Sequence, residues 1–201
     1  ANMLSKRERH NILFLQDKSQ VIVCSGFYVK SCEYTDLSGD RKWKKLPDLE
    51  EPRGNATMFY LNNRYVYILG GFKVNESTGE YLNSLEYMDF TKKDQWISMN
   101  IDALTPLSLR ISAMGSINLS EDKVLLVGGS SYLRSGFEVA FENGAVKSFE
   151  KKENLLPRGS IFFSNPMFMK IGEGVYFNFE LQAKGILYFM EKNEFCFLAN
   201  L

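Results

Sequence analysis

A single histidine, His10, is the only imidazole the chain can offer to acid–base or metal chemistry. A Ser-His-Asp arrangement would have to recruit it, and no Gly-x-Ser-x-Gly turn is present to present the serine. A zinc site without a second histidine needs cysteines at ligand spacing, yet Cys24, Cys32 and Cys196 form no Cys-x-x-Cys pair. The glycine pairs Gly70-Gly71 and Gly128-Gly129 lead into neither a helix start nor Gly-Lys-Ser/Thr, so they are not phosphate cradles. Carboxylate pairs such as Glu50-Glu51 and Glu121-Asp122 fall in turn-like segments, where solvation explains them. The expectation is a chain with no catalytic residue, no metal and no cofactor, which acts by binding.

Composition narrows what could be bound. The 24 basic and 24 acidic residues cancel, and a neutral chain lacks the basic excess that phosphate backbones require, so no nucleic acid is expected. The densest basic run, Arg41-Lys42-Trp43-Lys44-Lys45, is followed by Asp48, Glu50 and Glu51 and reads as a solvated strand edge. Apolar runs such as Val124–Val127 and Ile161–Phe163 are strand-sized, far short of a membrane span. No signal-peptide pattern opens the chain. An odd cysteine count points to structural thiols in a reducing compartment, hence a cytoplasmic or cytoskeletal location. The triplets at Asn55, Asn75 and Asn118 fit N-glycosylation acceptors, but chance matches are expected in a chain rich in asparagine.

The elements that would position a binding surface emerge from an internal repeat. Val21–Phe27, Val66–Phe72 and Val124–Ser130 are apolar runs that end in glycine (Gly26, Gly70-Gly71, Gly128-Gly129). Arginine precedes each at nearly constant distance: Arg9 before Gly26, Arg53 before Gly71, Arg110 before Gly129. Downstream, Glu33-Tyr34 leads to Trp43 and Glu86-Tyr87 to Trp96, while the third copy offers Glu138 and then Phe149. A fourth, degraded copy starts at Arg158 and runs through Val175–Phe179, Leu187-Tyr188 and Phe195 without the glycine pair. Each unit reads as four short strands; in the second these are 57–61, 65–69, 84–89 and 95–99.

Strand, double glycine, Glu-Tyr and tryptophan, recurring in that order, resemble the kelch repeat, and the resemblance runs from about Arg7 to Leu198. It implies an all-β, kelch-type β-propeller of four four-stranded blades with approximate repeats 7–52, 53–109, 110–157 and 158–201. Kelch propellers usually carry about five to seven blades. A partial ring, completed by further residues or by another chain, is therefore expected in preference to a closed ring of four. The resemblance also makes His10 a structural residue and gives tryptophan, or Phe149 in its place, the task of filling the space between blades. The copper-radical oxidases of this architecture need two histidines, which this sequence does not have.

In such propellers the loops at one end bind peptides. The loop after the second run, from Lys73 to Leu82, is the longest of its kind and carries Lys73, Asn75, Glu76, Glu80 and Tyr81. Tyr132 and Arg134 in the third unit's equivalent loop supply residue types common at interface hot spots. The four arginines are expected to tie loops to backbone carbonyls or carboxylates, the alternative being capture of acidic side chains at the ring mouth. The functional expectation is a scaffold, adaptor or structural component of a multi-subunit complex. A ubiquitin-ligase substrate receptor is a narrower version of that reading, and a kelch-like enzyme or small-molecule binder is the alternative.

Overall fold

Runs of Val, Ile, Leu and aromatic residues broken by Asn, Asp and Gly every few positions favour strands over helices. The computed structural model describes residues 2–75, 78–101, 111–129 and 135–152 in full, together with four strands between residues 167 and 198 as backbone. The first sheet is a meander of β1 (Asn11–Leu15), β2 (Gln20–Cys24), β3 (Cys32–Asp36) and β4 (Trp43–Leu46). The second begins with β5 (Thr57–Leu61) and β6 (Tyr65–Leu69). It then diverts into a small hairpin, β7 (Phe72–Val74) and β8 (Gly79–Tyr81), and resumes with β9 (Ser84–Asp89) and β10 (Ile97–Asn100). The third comprises β11 (Met114–Asn118), β12 (Lys123–Gly128), β13 (Gly136–Glu142) and β14 (Ala145–Lys152). The fourth comprises β15 (Met167–Ile171), β16 (Gly174–Phe179), β17 (Gln182–Phe189) and β18 (Glu194–Leu198). All pairings are antiparallel, and the one helical element among the described residues is a 3-10 turn at Gln16–Lys18. No helix among them is long and apolar enough to cross a membrane. Three strands expected in the second unit occur at the bounds expected, while the fourth is shifted to Ile97–Asn100.

Successive sheets lie with their first strands side by side, β1 by β5, β5 by β11 and β11 by β15. Hydrogen bonds stitch them: Asn55 N–H donates to the Arg9 carbonyl at 3.0 Å and Ala113 N–H to the Asn55 carbonyl at 2.7 Å. Arg9, Asn55 and Ala113 all have φ between 51° and 56°, so the same left-handed residue recurs at the same point of three units. Alternation along each strand then gives every sheet two working faces. Met58, Val66 and Ile68 join Leu15, Ile22 and Leu46 in a core between the first two sheets. Phe59, Leu61 and Tyr67 join Val124, Leu126 and Phe137 in a core between the second and third. Trp96 packs against the first of these cores, and its indole N–H reaches the Pro47 carbonyl of the preceding unit at 3.0 Å. Phe149 packs against the second core without needing such an acceptor. The repeated glycine is a matter of close approach: a Cβ on Gly129, at φ 89°, would lie 2.7 Å from the Ser112 carbonyl.

The repeat arginine of the first unit is Arg7, which corrects the assignment to Arg9. Arg7 binds Glu33 at 2.7 Å and reaches Ser31 and the Ser25 carbonyl; Arg53 binds Glu86 at 2.9 Å and reaches Ser84 and the Gly70 carbonyl. The second carboxylate oxygen is held by a backbone N–H three residues before the arginine, from Leu4 in one unit and Glu50 in the next. Both ion pairs have side chains only 1% exposed. Burial pushes the Arg53 guanidinium down from its ordinary range, and the Glu86 carboxylate opposes that shift. In the third sheet, Phe137 pairs with Leu126 as Glu86 pairs with Ile68, so Phe137, and not Glu138, stands in the glutamate place. Ile111, two residues before the left-handed Ala113, stands in the arginine place. Glu138 instead faces Lys123 and Lys152, each at 3.3 Å. Arg110 and Arg158 lie outside the described residues.

Cys24 and Cys32 face each other across β2 and β3 and are joined in a disulfide, correcting the expectation of free thiols. Alkylation in denaturant without reductant is expected to label one cysteine, and after reduction three; mass spectrometry of the purified chain reads the difference. For the ion pair, Arg53→Ile alone should cost about 3–5 kcal/mol, because it strands a buried carboxylate. The double change Arg53→Ile with Glu86→Phe, which copies the third sheet, should recover most of that in urea unfolding.

Candidate functional site

The clamp on Arg53 fixes the segment on either side of it. The next residue, Gly54, exchanges two backbone hydrogen bonds with Phe72, at 2.9 and 2.8 Å, and so anchors the base of the β7–β8 hairpin. Two residues before Arg53, the Glu51 carboxylate meets Lys73 at 2.5 Å. Lys73 also lies opposite Glu80 in the hairpin register, 3.5 Å away. Glu51 foremost holds the Lys73 ammonium above its usual range. The stretch expected to be an open loop is thus largely a short, ion-paired hairpin that projects from the end of the second sheet.

Aromatic rings line its base. Phe72 meets Tyr81 edge-to-face at 5.0 Å and Phe27, from the loop after β2, at 6.2 Å; Phe27 meets Tyr28 at 6.3 Å. Interplanar angles of 82°, 71° and 67° make every contact near perpendicular. Phe27 lies so close over Gly54 that a Cβ there would sit 2.1 Å from the ring. Phe27, Phe72 and Tyr81 are half-buried, but Tyr28 is 69% exposed. Tyr28 thus leaves most of its ring in solvent at a loop tip, beside rings that are partly covered.

Of the expected partner-binding residues, the structure gathers Lys73, Glu80 and Tyr81 on this hairpin, with Asn75 exposed near its turn. Glu76, Tyr132 and Arg134 lie outside the described residues. Phe27, Tyr28 and Phe72 were not anticipated. The available signal was that Phe27 and Phe72 follow the repeat glycines at the same position in two units. His10 is half-buried immediately before β1. Lys44 and Lys45 are exposed on β4, the outermost strand of the first sheet, as a solvated edge should be.

At the other end of the sheets, a pocket of about 120 Å³ lies between the second and third, lined by Arg64, Tyr65, Asp122, Phe141 and Gly144 among others. Arg64 is already committed there to Asp89 at 2.7 Å, which holds that carboxyl down at about 2 with help from Thr91. Ligand pockets for drug-sized molecules run to roughly 300–1,000 Å³, so this one accommodates waters or a small ion at most. Among the described residues, no three His, Cys, Asp or Glu side chains converge as metal ligands would.

No family model and no curated protein sequence matches the chain. Among solved structures it is similar to YjhT, with a TM-score of 0.77 at 10% identity; the match covers 100% of this chain and 68% of that one. Likeness at such low identity speaks to the fold alone. The chain itself is all-β, with four antiparallel four-stranded sheets, and the likeness concerns that fold.

Gly54→Ala should displace the Phe27 ring from its seat. The expected cost is about 1–3 kcal/mol of stability, and the ring-current shifts that Phe27 imposes on Phe72 should vanish from the NMR spectrum. Unchanged aromatic shifts would show that the rings do not rest on that backbone.

Proposed function

We propose that the chain is an arc of a kelch-type β-propeller that binds other proteins through the loop end of its first two sheets, acting as a scaffold or adaptor in a larger assembly. The observation that carries the reading is the exposed Tyr28 ring, set beside three half-buried aromatic rings on a clamped backbone. Aromatic anchors rimmed by charge are the composition of interface hot spots. Rigidity adds to this, since a face preorganised by buried ion pairs loses less entropy on binding.

The arc is supported by the outer face of the first sheet. Ile12 and Phe14 on β1 are 64% and 54% exposed, whereas Met58, at the place of Ile12 on β5, is left only 7% exposed where it packs on the preceding sheet. A further sheet seated on Ile12 and Phe14 would repeat the packing found between the first and second.

Tyr28→Ala combined with Tyr81→Ala should abolish cross-linked capture of partners from the native source while lowering the melting temperature by no more than about 5 °C, because Tyr28 is exposed and Tyr81 is half-buried on the hairpin. Retention of the same partners by the double variant would remove the loop end as the binding face.

A further inference from the structure

We propose that the aromatic row Tyr28–Phe27–Phe72–Tyr81 takes a proline-rich segment in the polyproline II conformation, with basic residues flanking the prolines; this rests on the loop end being a protein-binding face. Ring geometry is the first argument. A flat platform of coplanar rings would suit a stacked sugar or base, but here every ring stands nearly perpendicular to the next. Perpendicular rings leave ridges and notches, into which a stiff chain with pyrrolidine rings packs. Polyproline II has about three residues per turn, so prolines three apart lie on one face and can present their rings to such notches together.

The second argument is charge. Beside the row, Glu51 and Glu80 share the single cation Lys73, and the Glu80 side chain keeps 56% of its surface in solvent. Two carboxylates around one ammonium leave a net negative edge, so an arginine or lysine next to the prolines gains a partner and an acidic residue is repelled. Conformational cost is the third. A proline-rich segment is already extended, and it meets a row whose base is pinned by the Gly54–Phe72 hydrogen bonds.

The test uses fluorescence anisotropy with three labelled probes, an arginine-flanked decaproline, a glutamate-flanked decaproline and an arginine-flanked Gly-Ser peptide, with a soluble cello-oligosaccharide as competitor. The arginine-flanked decaproline should bind at least about tenfold more tightly than either other peptide. Tyr28→Ala should weaken it about tenfold or more, and Glu80→Lys should erase the preference for arginine flanks. Equal affinities for the three peptides, displacement by the oligosaccharide, or indifference to Tyr28→Ala would each overturn the proposal. If neither decaproline binds but native partners are still lost from the Tyr28→Ala Tyr81→Ala variant, the proline-rich class is wrong and the loop-end reading stands. If those partners are retained, the reading itself falls.

Discussion

A guanidinium buried against a carboxylate organises the end of the molecule that carries the candidate site. Arg53 reaches from the segment before β5 to Glu86 on β9, touching the Gly70 and Ser84 carbonyls on the way. One side chain thereby fixes three stretches that are remote in sequence. The chain around it, from Glu50 to Asn55, is then the rail on which the site hangs. Glu50 closes the carboxylate, Glu51 holds Lys73, Gly54 pairs with Phe72 and seats Phe27, and Asn55 bonds to the units before and after. Arg7 and Glu33 do the same for the loop that carries Tyr28.

The third sheet shows that this device is not needed for folding as such. Ile111 and Phe137 occupy the same two places and belong to one fully buried apolar core. Buried ion pairs gain little over a well-packed apolar pair, since desolvation offsets most of the attraction. Directionality is what differs. A guanidinium has five donors in a rigid fork and can fix several carbonyls at once, whereas Ile and Phe fill space without specifying loop conformation. The ion pair is retained in the two units whose loops build the aromatic row, and is absent from the third.

How much of this was legible in the sequence follows from the range of each interaction. The bounds of the first three strands in the second unit and the Trp96 and Phe149 positions are legible, because they depend on local alternation and on spacing within one sheet. Spacing from Gly26 does not separate Arg7 from Arg9, because both lie near the expected distance; only the depth of the side chain does. Glu138 stands in the glutamate place by sequence spacing but not by strand register, because one residue of register in a strand reverses the face. The Cys24–Cys32 bond could not be read from an odd count without the pairing of β2 with β3. Phe27 and Phe72 were hidden differently, since their contact joins loops of two units across 45 residues of sequence.

Strand alternation also keeps the open face of the first sheet apart from the face packed on the second. Leu13, Leu15, Ile22 and Tyr34 point toward the second sheet, while Ile12 and Phe14 point the other way. The aromatic row bridges the first and second sheets through Phe27 and Phe72, so it belongs to the junction already filled. A sheet packed on Ile12 and Phe14 would lie on the opposite side of β1 from that junction. A further sheet on that face and a partner at the proposed loop-end site would therefore make no competing demand on the same residues.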